Sequence, residues 1–217
     1  MVGQGVLREC LFSTDVTGIL TIGRSATGQQ NPKLHEVTLK DLTNLSAMEA
    51  DLATYDACFF CLGVSSAGMN EQDYTRVTHD LTLSVACTLI KVNRDMTFIY
   101  VSGTGTDSSE KGRSMWARVK GRTENDLLKL SFKGAYMFRP GYIQPLDGIK
   151  TKTPVYRVSY AVLAPLYPLL KTLAPNYVTT TKQVGQAMIQ VALRGSTKTF
   201  FENRDITEMG KWGRSHI

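Results

Sequence analysis

The sequence has few of the residues from which disulfide frameworks and metal sites are built. It contains four cysteines and three histidines in 217 residues, too few and too scattered for a disulfide scaffold. Cys58 and Cys61 form a C-x-x-C, but the apolar run around them predicts a strand, in which residues three apart point to opposite faces. No histidine stands in a ligand spacing with another His, Cys or carboxylate pair. We therefore expect no metal site and no redox pair.

Long apolar stretches and nucleic-acid motifs are also lacking. No apolar run reaches the roughly 18 residues of a membrane span, and the first residues lack a basic segment followed by an apolar one. These absences predict a cytoplasmic protein. No segment combines a dense Lys/Arg run with interleaved aromatics, so we expect no nucleic-acid partner. Neither a substrate nor an oligomeric state is evident.

Charge is distributed unevenly along the chain. The formal net charge of +6 divides into −4 over residues 1–100 and +10 over residues 101–217. The basic half suits an anionic ligand, such as a phosphorylated cofactor, or an anionic membrane surface, and a solvated basic face explains it equally well.

One segment is a candidate for membrane association. Val158–Leu170 is apolar and lies between Arg157 and Lys171. Pro165 and Pro168 interrupt it, and it lacks a clean amphipathic stripe, which argues against a helix on a membrane surface. A buried pocket wall is the favoured interpretation.

What the sequence does contain is an alternation of short β-branched runs with longer segments of helical period. The predicted strands lie near Gly18–Ile22, His35–Leu39, Asp56–Leu62, Thr97–Ser102 and Ala135–Phe138. The predicted helices span Glu71–Val92, with Asn70 as N-cap, Ser114–Leu130 and Thr181–Leu193. This alternation is typical of an α/β fold with a doubly wound parallel sheet, built as one domain over residues 1–217.

The start of the chain is unusual for such a fold. Met1–Leu11 has the pattern of a glycine turn that leads directly into a helix, and no strand precedes it. Gly3 and Gly5 could open a G-x-G-x-x-G loop, but Arg8 occupies the position of the third glycine, so that motif fails.

Five short motifs together resemble a known family, and the similarity extends over nearly the whole chain. They are Met1–Glu9, Ile22–Ser25, Phe60–Gly63, Tyr100–Thr104 and Arg139–Ile143. They are similar to motifs of the extended and atypical short-chain dehydrogenases/reductases, the NAD-dependent epimerase/dehydratase-like group. The resemblance implies a Rossmann-like, NAD(P)-binding domain, with residues 140–200 as a substrate-side extension.

In this resemblance Gly3 is the last glycine of the G-x-x-G-x-x-G turn, so the first strand and the first two glycines would lie before Met1. That strand is central in the sheet. We therefore expect a chain truncated at its N-terminus, with the natural start upstream. Filling of the gap by another segment or chain, or a decayed fragment, are the alternatives.

The resemblance also implies a set of cofactor-binding residues. They are Val2, Gly3, Arg24, Ser25, Asp41, Leu42, Leu62, Gly63, Lys120, Pro140, Gly141 and Tyr142. A cation at Arg24, where an acidic residue would bind a ribose 2′-hydroxyl, suits a 2′-phosphate and favours NADP(H) over NAD(H). An ordinary surface arginine is the alternative at Arg24, and a capping or surface carboxylate is the alternative at Asp41.

The implied catalytic set is incomplete. Ser102 or Thr104 matches the carbonyl-binding hydroxyl and Lys120 the lysine, but Trp116 occupies the position of the catalytic tyrosine. An indole N–H cannot release a proton at working pH. The proton would have to come from Tyr142, a water, or Lys120 with a lowered pKa. The function implied is an oxidoreductase or epimerase-like protein, and the alternative is a non-catalytic NADP(H)-sensing regulator. Packing alone could also explain Trp116. Lys120 could equally be a solvated lysine on the face of a helix.

Overall fold

The computed structural model describes residues 1–149, 167, 172 and 174–212, over which strands and helices alternate. The strands are β1 (Ile19–Gly23), β2 (Leu34–Thr38), β3 (Ala57–Phe60), β4 (Thr97–Val101), β5 (Gly134–Arg139), β6 (Tyr142–Gln144), β7 (Val178–Thr180) and β8 (Phe200–Glu202). The helices are α1 (Val2–Phe12), α2 (Glu49–Leu52), α3 (Glu71–Thr75), α4 (Leu81–Val92), α5 (Met115–Leu128), α6 (Thr181–Arg194) and α7 (Asn203–Trp212). A π-helical turn, Arg76–Asp80, joins α3 to α4.

All strand pairings among the described residues are parallel, as the alternating pattern predicts. The largest sheet has the order β3-β4-β5-β8, while β1 pairs with β2 and β6 with β7. Among the described strands, β1 and β3 therefore belong to different sheets.

The core is built on both faces of β4 and β5. Ile99 and Phe138 pack in a cluster with residues of α1 and α6. Phe98, Tyr100 and Met137 pack on the other face, with residues of α2 and α4. Burial on both faces explains why these strands have nearly continuous apolar sequences.

Helix α1 packs against α6 through two glycines. A Cβ atom on Gly5 would lie 2.6 Å from the Cβ of Thr181, and one on Gly185 would lie 2.8 Å from Cγ of Glu9. The buried Glu9 accepts a hydrogen bond from Gln186 Nε2 at 3.1 Å. Gly5 therefore allows the two helices to pack closely. The failed glycine-loop motif had suggested no role for this residue.

The predicted helix over Glu71–Val92 is confirmed, and Asn70 caps it by accepting from the Asp73 backbone N–H at 2.8 Å. Four elements were not predicted: the three-residue strands β6, β7 and β8, and helix α7. Strands this short contain too little alternation to be recognised. The Val158–Leu170 segment, with its two prolines, lies outside the described residues apart from position 167. No helix in the described part of the chain is long and apolar enough to cross a membrane.

Candidate functional site

A cavity of about 330 Å³ lies where the carboxyl ends of the central strands meet. The structure brings six residues singled out from the sequence to its wall, namely Ser102, Thr104, Trp116, Lys120, Pro140 and Gly141. The loop after β3 closes another side through Val64, Ser65 and Ser66. Open α/β sheets bind ligands at this edge.

Lys120 reaches the cavity from α5 and is anchored to the loop after β4. Its Nζ donates a hydrogen bond to the backbone carbonyl of Ser102. Burial removes hydration from the ammonium and lowers the pKa of Lys120 to about 8, while the nearby Glu124 carboxylate opposes that change. Lys120 is therefore a titratable group near neutral pH.

The two candidate hydroxyls have different surroundings. Ser102 is buried, and its Oγ donates to Glu124 Oε1 at 2.5 Å and lies 3.2 Å from the carbonyl oxygen of Phe138. Thr104 is exposed, and its Oγ1 donates to the carbonyl of Arg139 at 3.0 Å. Ser102 thus contributes its carbonyl to the lysine and its hydroxyl to the interior, whereas the Thr104 hydroxyl lies on the open side.

A buried ion pair lies directly behind the cavity. Glu124 is 0% exposed, and it accepts hydrogen bonds from Arg139 Nε at 3.0 Å and from Arg139 Nη2. The bond to Glu124 raises the pKa of Arg139. This pair was not predicted, although Glu124 follows Lys120 by four residues and so shares its helix face.

Two aromatic side chains line the cavity. Trp116 is half-buried, and a Cβ atom on Gly105 would lie 3.4 Å from its ring. Tyr74, on α3, is 2% exposed and contributes to the same wall. From the sequence, Tyr74 is predicted only to lie on the apolar face of its helix. That position does not indicate whether the side chain lines a cavity.

The expected phosphate-binding turn lies beside the end of β3, where two other expected cofactor-binding residues, Leu62 and Gly63, follow. A Cβ atom on Gly3 would be 3.4 Å from the Cβ of Cys61, which places Val2 and Gly3 beside the end of β3. No heavy atom lies within 4 Å of a Cβ position on Gly63, and Leu62 is 40% exposed. The backbone at Gly63 is therefore open, and the part that these four residues play in binding a cofactor stays a prediction.

The residues expected at the adenosine end lie away from this cavity wall. Arg24 and Ser25 are exposed after β1. Asp41 accepts from the backbone N–H of Thr43 at 2.8 Å and from its hydroxyl at 2.6 Å, which holds the pKa of Asp41 below its ordinary value. Leu42 is buried. The part that these four residues play in binding stays a prediction.

The turn after β5 is held close to the chain before β7. A Cβ atom on Gly141 would lie 2.4 Å from the carbonyl oxygen of Tyr177, so only glycine fits there. The backbone N–H of Gly141 donates to Asn203 Oδ1 at 2.9 Å. Tyr142, one of the three candidate proton sources, donates its hydroxyl proton to Gln144 Oε1 at 2.9 Å, and burial raises its pKa. That makes it a weaker acid.

No family model matches the chain. Two curated fungal proteins align with nearly all of it. Protein fmp52, mitochondrial, of Emericella nidulans is 26% identical over 97% of this chain and 95% of its own length. Protein FMP52-1, mitochondrial, of Scheffersomyces stipitis is 23% identical over the same shares.

Solved structures establish the fold. A short-chain dehydrogenase/reductase from Saccharomyces cerevisiae superposes with a TM-score of 0.64 at 13% identity, covering 96% of this chain and 94% of that one. The L-sorbose reductase of Gluconobacter frateurii, complexed with NADPH and L-sorbose, gives 0.64 at 12% identity, with coverages of 93% and 91%. A putative NAD-dependent epimerase/dehydratase from Bacillus halodurans gives 0.61 at 15% identity, with coverages of 98% and 94%. The chain therefore has the Rossmann-like fold of the short-chain dehydrogenases/reductases and the NAD-dependent epimerases/dehydratases.

Proposed function

We propose that this chain is an NADP(H)-binding oxidoreductase or epimerase-like protein whose active site has a tryptophan in place of the catalytic tyrosine. The observation that carries the proposal is the cavity in which Thr104, Trp116, Lys120 and Gly141 come together at the carboxyl ends of β4 and β5. Ligand complexes of structural neighbours support a nicotinamide cofactor, because one holds NADPH with L-sorbose and another holds NAD⁺ with UDP.

The residues present fit a dinucleotide at both the phosphate and the nicotinamide end. Gly63 offers backbone without obstruction and Gly3 lies beside the end of β3, while Lys120 presents an ammonium beside Pro140 and Gly141. The bound nicotinamide would supply hydride chemistry. Arg24 would select the 2′-phosphate of NADP(H), since an exposed guanidinium pairs well with a phosphate.

Lys120 is the proposed source of the proton. Trp116 donates hydrogen bonds but does not titrate, whereas the lowered pKa of Lys120, about 8, lies close to the range that suits a general acid. The Thr104 hydroxyl would hold the substrate carbonyl by turning its proton away from the carbonyl of Arg139, to which it donates here. The Lys120 ammonium would then give a proton to that carbonyl oxygen, become a neutral amine and recover a proton from water.

A non-catalytic NADP(H) sensor is the second candidate function, and Trp116 favours it. A site that keeps the lysine but lacks a titrating phenol can bind a cofactor without turning it over. Such a protein would transmit the bound state to a partner instead of acting on a substrate.

In the first test, NADPH or NADH is titrated against the purified chain, and nicotinamide fluorescence measures binding. Lys120→Met should abolish binding, while Lys129→Met should not, since Lys129 is 74% exposed and pairs with Asp126. Equal binding by Lys120→Met and the unaltered chain would contradict the proposal.

Activity is tested separately with a panel of carbonyl compounds. Loss of reduced-nicotinamide absorbance would identify an enzyme, whereas binding without turnover would favour the sensor. Appearance of turnover only in Trp116→Tyr would support the sensor further.

The location of the protein stays a prediction. The sequence favours the cytoplasm, whereas both curated relatives carry the word mitochondrial in their names. Fractionation of the source cells with an antibody against this chain distinguishes the two compartments.

A further inference from the structure

We propose that Glu124, clamped by Arg139, is a positioning residue for the proposed site, because it holds the Ser102 peptide whose carbonyl receives the Lys120 ammonium. The inference rests on the proposed function and extends it to a pair of residues behind the cavity wall. Glu124 would act through its neighbours, without touching a ligand.

The first support is a continuous chain of contacts. Arg139 Nε donates to Glu124 Oε1 at 3.0 Å, and Ser102 Oγ donates to the same oxygen at 2.5 Å. The carbonyl of Ser102 in turn accepts from Lys120 Nζ. Each group that fixes the lysine is itself fixed by a neighbour on another element, since β4 supplies the loop, β5 the arginine and α5 both the glutamate and the lysine.

The second support is the energetic cost of placing the pair there. A carboxylate that is 0% exposed is expensive to bury, and an apolar pair of similar volume would often stabilise a fold equally well. Packing alone therefore gives no reason for a glutamate at this position. A requirement for negative charge close to a cation in the cavity does give one.

The third support is the arrangement of charge around the lysine. Glu124 lies one turn after Lys120 on α5, and its charge raises the pKa of Lys120 against the effect of burial. Tyr74 from α3 lines the same cavity, and Tyr100 from β4 has its pKa raised by burial and by the charges of Tyr74 and Glu124. Among the described residues, Glu124 from α5 is thus the charged group that affects the pKa of Lys120, and Arg139 from β5 is its ion-pair partner.

Three further contacts hold the Arg139 guanidinium in place. Arg139 Nη2 donates to Ser108 Oγ at 2.5 Å, and Nη1 contacts Glu202 at 3.3 Å. Its guanidinium also lies 4.6 Å above the ring centroid of Phe200. Glu202 is 51% exposed and is not among the groups that shift the pKa of Lys120. It therefore offers a matched control that shares Arg139 and nothing else.

The test measures the protonation of Lys120 directly, without cofactor. The folded chain is labelled with trace acetic anhydride at a series of pH values, and mass spectrometry follows the Lys120 peptide, since only the neutral amine reacts. We expect a midpoint near pH 8 for the unaltered chain, a midpoint lower by at least about half a unit in Glu124→Gln, and no change in Glu202→Gln. An unchanged midpoint in Glu124→Gln, or an equal shift in Glu202→Gln, would overturn the proposal.

If Glu124→Gln fails to fold, circular dichroism would show it, and the labelling midpoint of Lys120 would move upward. A second variant keeps the proposal testable in that case. Glu124→Asp retains the charge for Arg139 but shortens the reach to Ser102, so its midpoint should lie below that of the unaltered chain. A midpoint equal to the unaltered one would refute the positioning role.

The two proposals fail differently. If no form binds NADPH, the proposed function fails, while labelling still decides the role of Glu124. If NADPH binds, Glu124→Gln should move the pH profile of its dissociation constant downward by the same amount as the labelling midpoint. A profile that stays in place would separate Glu124 from the binding site.

Discussion

The β3-β4-β5-β8 sheet and the β1-β2 pair are buried to different extents. In β4 the residues from Thr97 to Tyr100 are all buried, whereas every residue of β1 is half-buried and β2 is exposed at three of its five positions. The cavity with Lys120 and Thr104 stands on the buried sheet, and Arg24 follows the half-buried pair. The proposed chemical end of the site is therefore rigidly supported, and the proposed selective end is less so.

Removal of a large side chain from each part is expected to give the greatest contrast. Phe98 is 0% exposed, so Phe98→Ala should lower the free energy of unfolding by about 4 kcal/mol. Ile22→Ala in β1 should cost clearly less, because the isoleucine is only half-buried. Urea denaturation followed by circular dichroism measures both, and equal losses would remove the contrast.

The next largest difference is expected between two glycine-to-alanine substitutions. Gly5→Ala places a Cβ atom 2.6 Å from Thr181 and should cost about 2 kcal/mol, because two closely packed helices must separate. Gly18→Ala, just before β1, meets nothing within 4 Å and serves as the control. A smaller loss for Gly5→Ala than for Gly18→Ala would show that α1 packs differently.

The pH dependence of NADPH binding tests the end of the site that contains Lys120 and stands on the buried sheet. Because the pKa of Lys120 is lowered to about 8, NADPH affinity should fall about tenfold between about pH 7 and about pH 9 as the ammonium loses its proton. Fluorescence titration measures this, and an affinity that stays constant over this pH range would contradict the role of the Lys120 ammonium in binding.

Stability should change in the opposite direction over the same range. Above about pH 8 the unfolded chain binds more protons at Lys120 than the folded one, so the free energy of unfolding should rise with pH relative to Lys120→Met. Parallel curves for the two proteins would contradict the lowered pKa.

The smallest expected effect concerns the exposed side. Arg24→Asp should reduce the preference for NADPH over NADH by roughly fivefold, the scale of an exposed ionic contact of about 1 kcal/mol. Arg94→Asp is the control, since Arg94 is also exposed but lies at the opposite end of the strands, before β4. An unchanged preference in Arg24→Asp would remove the argument for NADP(H).

Much of the fold could be predicted because its strongest elements are periodic. The long helix after Asn70 and the strands β1 to β5 follow from apolar spacing and capping, which act between near neighbours in the chain. The three-residue strands could not be predicted, because their pairing depends on partners more than 30 residues away, as for Ile143 and Thr179.

The site was predictable only in part. Motif spacing identified Thr104, Trp116 and Lys120, and the structure gathers them around one cavity. The inward bonding of Ser102 and the contribution of Tyr74 depend on packing across α3, β4 and α5, which no local pattern records.

The sequence by itself determined which residues alternate between strand and helix, and that a tryptophan stands four residues before Lys120. Only the tertiary structure decided that this lysine is enclosed, that its pKa is lowered, and that Glu124 and Arg139 lie behind it. The physical reason is that hydration and Coulomb interactions depend on distances in space, and residues far apart in the chain set those distances.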